Sequence, residues 1–101
     1  LFAGRISVGK GLLDLVRAVS RIPDAVERVV MAGSVPEREF ESRLRYEIGE
    51  SGLANRFEFV GLLNETALLE EFARAAVLVL PSYQETAPMV IQQAMAARVP
   101  V

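Results

Sequence analysis

Four short apolar runs alternate with four helix-period segments, and that order leaves few folds open. The runs are Leu1 to Gly4, Arg28 to Ala32, Arg56 to Val60 and Val77 to Leu80. After the first, Lys10 to Ile22 places Leu12, Val16 and Val19 on one helical face, with Leu15 and Ile22 beside it. After the second, Ser34-x-x-Glu37 reads as a capping box with Pro36 in the first turn. Phe40, Leu44 and Ile48 then recur at four-residue spacing, Glu39/Arg43 and Glu41/Arg45 pair on the wet side, and Gly49 and Gly52 supply the stop. Asn64 is placed to cap a third helix carrying Leu68, Leu69 and Phe72. The fourth spans Pro88 to Arg98, with Thr86 as a candidate cap. Strands alternating with helices predict an α/β fold: a Rossmann-like parallel sheet flanked by helices. Val29-Val-Met-Ala32 is unbroken, as in a strand buried on both faces, whereas Phe57-Glu-Phe59 alternates and suits an edge. The predicted spatial order is 3-2-1-4.

Composition bounds what such a sheet can serve. An apolar fraction of 51% is ample for a core, and a net charge of −2 gives no drive toward nucleic acid. There is no Cys and no His, and the only aspartates are Asp14 and Asp24. Disulfides, the usual zinc sites, the usual catalytic triads and an Asp-x-Asp metal motif are therefore absent. No apolar run approaches the roughly 18 residues of a membrane span. The lack of Cys fits a reducing compartment, and the expected location is cytoplasmic. Leu1-Phe-Ala3 reads as the inside of a strand and Val99-Pro-Val101 as the start of another. Residues 1–101 are accordingly expected to be a partial domain of a longer two-domain protein.

The chemistry gathers at the carboxyl ends of the first and fourth strands. Open α/β sheets bind ligands there. Gly4-Arg-Ile-Ser-Val-Gly-Lys-Gly11 joins the first strand to its helix. Its letters approach a P-loop, but the Ser/Thr that would hold Mg²⁺ is Gly11, and no strand ends in a partner acid. Without a metal, the same loop can still meet an anion. Gly4 permits close backbone approach, Arg5 offers a planar fork, and Lys10, the sole lysine, a point charge. Two solvated surface cations are the bland reading. Gly33 and Gly61 end two other strands and suit either tight turns or close ligand approach. Glu85 follows the fourth strand. Its carboxylate can accept hydrogen bonds from sugar hydroxyls and stabilise positive charge at an anomeric carbon, or simply face a helix dipole. Gln93, eight residues on, carries an amide able to bond a ribose hydroxyl, or faces solvent beside Gln92.

Three segments in register resemble one family. Phe2-Ala-Gly-Arg-Ile-Ser-Val-Gly-Lys-Gly-Leu12 resembles the "vGRls..KG" opening of the donor domain in family 4-type glycosyltransferases of the GT-B fold (glycosyl transferases group 1). Phe57-Glu-Phe-Val-Gly61, then Leu69 through Ala73-Arg-Ala-Ala-Val-Leu-Val-Leu-Pro-Ser82, resembles "v.f.G…l…y..adv.vlPS". The tail from Pro81 to Val101 resembles "PS..E..P.v..EAmA.G.PV". Gln93 stands where that pattern has its second Glu, Arg98 where it often has Gly, and Gly33-Ser-Val-Pro36 lacks the second Gly of "GdGP".

The resemblance implies the carboxyl-terminal donor domain of a retaining, metal-independent transferase, with a nucleotide-sugar as substrate and no cofactor. Arg5 and Lys10, beside Gly4, would bind the diphosphate, and Glu85 would contact the transferred sugar. Gln93 would meet the ribose, the Gly61 turn would lie near the base, and the backbone of Ala87 to Val90 near the phosphates. The acceptor domain would precede this chain, and the full-length protein could touch a membrane peripherally. The alternative is a non-catalytic α/β binding or assembly module. The isolated fragment is expected to be inactive, and to dimerise or exchange strands through an exposed fourth strand.

Overall fold

The computed structural model describes residues 1–86 and 88–101. Strands β1 (Phe2–Ala3), β2 (Val29–Ala32) and β3 (Phe57–Gly61) form a parallel sheet in the order β1-β2-β3. Helices α1 (Leu12–Arg21), α2 (Arg38–Glu50), α3 (Glu65–Arg74) and α4 (Met89–Ala96) join and follow them. Short 3₁₀ turns occupy Val8–Lys10 and Pro23–Ala25.

The sheet alternates its side chains between two cores. Phe2, Val29, Met31 and Phe57 face one way and pack with Leu12, Val16, Phe40, Leu44 and Ile48 of α1 and α2. Ala3 and Ala32 face the other way, among Phe72, Leu78, Ala94 and Val99. The small residues on this second face let α3 and α4 sit close. All four residues of β2 are buried, whereas β3 is half exposed. Each fully buried large side chain, such as Leu44, contributes about 1.5–3 kcal/mol.

Val77 to Leu80 adopts no regular strand, yet it lies where the fourth strand belongs. The Leu1 amine donates to Val77 O at 3.0 Å and Val79 N–H to Leu1 O at 2.8 Å, the two bonds of a parallel pairing. The arrangement thus extends to 3-2-1-4. The ladder is short because β1 itself is two residues long. On its other side, Leu78 N–H donates to Pro100 O at 2.7 Å, and Leu78 is fully buried. The edge expected to be open is therefore covered by Val99 to Val101, which becomes the outermost segment.

Helix ends differ from expectation where proline intervenes. α2 begins at Arg38, with Glu37 as its cap residue and no side-chain capping bond, so Ser34 and Glu37 form no capping box. Ser34 O instead accepts Ile6 N–H at 2.9 Å, which ties the loops after β1 and β2 together. Pro88, not Thr86, occupies the cap position of α4. α1 begins at Leu12, after the 3₁₀ turn that carries Lys10. The Asn64 cap is present: its Oδ1 accepts Ala67 N–H at 2.8 Å. The Arg45–Glu41 pair is present at 3.1 Å. No described helix is long and apolar enough to cross a membrane.

Candidate functional site

The order in which the chain visits positions across the parallel sheet reverses between the first and the fourth. From β1 the chain proceeds outward to β2 and β3, then returns to place Val77–Leu80 on the opposite side of Leu1. The loops leaving β1 and the fourth segment therefore lie side by side at the carboxyl ends of their strands, the end at which open α/β sheets bind ligands.

Two glycines shape the loop after β1. Gly11 has φ +67°, and a Cβ built there would lie 2.1 Å from Pro81 O. Only glycine lets the turn before α1 touch the loop that follows the fourth segment. That contact sets Lys10 beside Ser82 and Glu85. Gly33 has φ +155°, with its Cβ position 1.7 Å from Gly4 O, so the ends of β1 and β2 also meet without side chains between them.

Lys10 Nζ donates to Glu85 Oε1 at 2.6 Å, and Ser82 Oγ donates to the same oxygen at 2.7 Å. The Lys10 and Glu85 side chains are 25% and 24% exposed, and Glu85 as a whole residue lies on the surface. The Lys10 ammonium first, and the Ser82 hydroxyl second, hold the Glu85 carboxyl below its ordinary value. Glu85 is thus an ionised acceptor whose Oε2 takes no hydrogen bond among the described residues.

A cavity of about 250 Å³ lies alongside, lined by Gly4, Arg5, Gly33, Ser34, Leu62, Leu63, Val90 and Gln93 among others. Its walls are the ends of all three strands, Leu68 of α3, and α4. Arg5 makes no ion pair among the described residues. Gln93 is half-buried and faces this cavity from the second turn of α4.

The six residues to which the resemblance gives roles thus divide. Gly4, Arg5 and Gln93 share the cavity, while Lys10 and Glu85 pair beside it. Gly61 precedes Leu62 and Leu63 of the cavity wall, and its carbonyl accepts Gly33 N–H at 2.8 Å. Of the Ala87 to Val90 stretch, Ala87 lies outside the described residues and Val90 lines the cavity.

Sequence reasoning missed Ser82, Tyr83 and Asp14. Tyr83 OH donates to Asp14 Oδ2 across 69 positions, a pairing that no local pattern announces. It also missed Glu71, which is buried with Arg74 and Arg28 as its ion partners. Glu71 borders a cavity of about 350 Å³ with Leu1, Arg28 and Val77, at the amino ends of the strands. That is the wrong end of an α/β sheet for a ligand.

Known proteins share this sequence pattern and fold. The family model described as "Glycosyl transferases group 1" matches residues 1–101. An uncharacterized glycosyltransferase of Methanocaldococcus jannaschii is 34% identical over 102 residues, which cover 100% of this chain and 25% of the relative. The sucrose-phosphate synthase of Thermosynechococcus elongatus superposes with a TM-score of 0.82 at 34% identity, covering 99% of this chain and 26% of the synthase. The HepE protein of Anabaena, solved in complex with UDP, gives 0.88 at 26% identity, covering 99% and 28%. The chain therefore spans about a quarter of the length of the proteins it matches. Its parallel α/β architecture is that of the GT-B glycosyltransferases, and the chain belongs to the group 1 glycosyltransferase family.

Proposed function

We propose that this chain is the donor-binding part of a retaining, metal-independent glycosyltransferase whose substrate is a nucleotide-diphosphate sugar. The observation that carries this reading is the 2.6 Å Lys10–Glu85 pair, which joins the loop after β1 to the loop after the fourth segment, together with a cavity lined by Arg5 and Gln93. A cation and a carboxylate side by side match the two halves of such a donor, an anionic diphosphate and a hydroxyl-rich sugar. The UDP held by the HepE protein supports the nucleotide half.

In this scheme the diphosphate replaces Glu85 as the partner of Lys10, and Arg5 adds its guanidinium fork. Glu85, released from Lys10, accepts hydrogen bonds from sugar hydroxyls. As the bond between the anomeric carbon and the diphosphate oxygen breaks, negative charge grows on the departing phosphate. Lys10 and Arg5 stabilise that charge more strongly in the transition state than in the bound donor. Glu85 is placed to stabilise the positive charge left on the sugar. The Gln93 amide bonds a ribose hydroxyl. An acceptor-binding domain, expected before this chain, supplies the other wall of the reaction cleft, so residues 1–101 alone do not turn over.

Calorimetric titration of the full-length protein with UDP, GDP and ADP tests the reading. Saturable binding of one of them, lost in Lys10→Ala and weakened in Arg5→Ala, supports it. Absence of binding by all three in the unsubstituted protein overturns it. Binding without sugar transfer from the matching nucleotide-sugar would instead favour a non-catalytic module.

A further inference from the structure

We infer that Tyr83 and Asp14 form a positioning device that holds the Glu85 loop in register with the phosphate-binding turn. This rests on the donor-site reading above and adds two residues to it. Residues 81–86 lack regular secondary structure, so backbone ladders do not fix Glu85. The loop instead docks on one short stretch, residues 9–14. Tyr83 N–H donates to Gly9 O at 3.2 Å, Pro81 O rests against Gly11, and Lys10 reaches Glu85. Tyr83 OH then donates to Asp14 Oδ2, in the first turn of α1.

The Tyr83 side chain serves no core. The residue is 70% exposed, so its ring buries little, and the hydroxyl bond is its main attachment. Asp14 is held in turn. Its second oxygen, Oδ1, accepts Arg17 Nη1–H at 3.0 Å, one turn along the same helix. The carboxylate is thus braced by α1 and presents Oδ2 outward to the loop. Only Gln84 separates Tyr83 from Glu85, so fixing the tyrosine limits how far the carboxylate can wander from Lys10. The ring and hydroxyl act through Glu85 and need not touch a substrate.

The sugar is the part of the donor that Glu85 meets, so the device affects sugar binding and not diphosphate binding. Calorimetry on the full-length protein separates the two. The probes are UDP, GDP and ADP with their glucose conjugates, using whichever nucleotide binds. Tyr83→Phe and Asp14→Ala are each expected to weaken the glucose conjugate about three- to tenfold while leaving the nucleoside diphosphate within about twofold. The double variant is expected to be no worse than either single one, because both remove the same bond. Asp14→Asn retains an acceptor oxygen and is expected to restore most of the loss. Equal weakening of both probes, additive losses, or no rescue by Asn overturns the positioning role. A protein that binds none of the nucleotides overturns the donor-site reading instead, and this inference with it.

Discussion

Lys10 and Glu85, 75 positions apart in the chain, share a hydrogen bond of 2.6 Å. In the free protein each satisfies the charge that a donor would otherwise meet. On the proposed donor reading, binding is an exchange: the diphosphate takes Lys10 from Glu85, and the sugar takes Glu85 from Lys10. Removing the carboxylate unbalances that exchange. Glu85→Gln is expected to tighten a nucleoside diphosphate by a factor of about 2–5, since Lys10 loses its competitor. The same change is expected to weaken the sugar conjugate and to slow transfer. Calorimetry with both ligands on one variant gives the answer. A Gln variant that loses both equally would mean that Glu85 supports the loop and nothing more.

The pair also sets a pH dependence. The Glu85 carboxyl lies below its ordinary value because Lys10 and Ser82 both donate to it. A depressed carboxyl favours the folded arrangement above the unfolded value and loses that contribution as pH falls through the lowered one. Docking of the 81–86 loop is thus expected to persist through neutral pH and to loosen on acidification below the usual glutamate range. Lys10→Met is expected to return the carboxyl toward its ordinary value, and Ser82→Ala to move it less far. A carbon-detected NMR titration of Glu85 reads both shifts. An unchanged midpoint in Lys10→Met would show that the pair does not persist in solution.

Much of this fold was legible because its signals are local. Val29-Val-Met-Ala32 is continuously apolar and is buried throughout, and Phe40, Leu44 and Ile48 lie on one buried face. Asn64 caps its own helix three residues away. Arg5, Lys10 and Glu85 could be read to one end of the sheet because each follows a strand, and the order 3-2-1-4 from the mixed pattern of Phe57-Glu-Phe59. What escaped was long-range or competitive. Ser34 and Glu37 carry capping-box letters, yet the Ser34 carbonyl is committed to Ile6, and the helix starts only at Arg38. Val77–Leu80 has strand composition, but its neighbour β1 is two residues long and supports little ladder. The partnership of Tyr83 with Asp14 depends on how two loops meet after folding, so neither segment reveals it alone.

Two glycines with similar backbones separate conformational strain from steric contact. Gly11 and Gly61 have φ of +67° and +75°. A Cβ at Gly11 would meet Pro81 O at 2.1 Å, whereas one at Gly61 would meet nothing within 4 Å. Gly61→Ala is expected to cost about 1–2 kcal/mol, the left-handed penalty alone. Gly11→Ala is expected to cost more, and also to push the Lys10 turn away from Ser82 and Glu85. Urea unfolding gives the first comparison and nucleotide titration the second. Equal costs at the two positions would indicate that the contact with Pro81 relaxes without resistance.

Arg98 offers the opposite experiment. α4 ends in a Schellman motif: Val99 N–H donates to Ala94 O at 2.9 Å and Arg98 N–H to Met95 O at 3.0 Å. α2 ends the same way, through Leu53 to Ile48 and Gly52 to Gly49, each at 3.0 Å. The left-handed position is Gly52 in α2, at φ +70°, but Arg98 in α4, at φ +59°. Arg98 is exposed, so its size crowds nothing, and its cost lies in the backbone. Arg98→Gly is expected to stabilise the protein by about 1 kcal/mol, since glycine adopts this conformation without a Cβ clash. The urea midpoint should rise with an unchanged slope, and nucleotide affinity should stay within about twofold, because the Arg98 side chain is exposed and Arg98 does not line the cavity that Val90 and Gln93 border. A lower midpoint would mean that the Arg98 side chain makes contacts worth more than the strain it imposes.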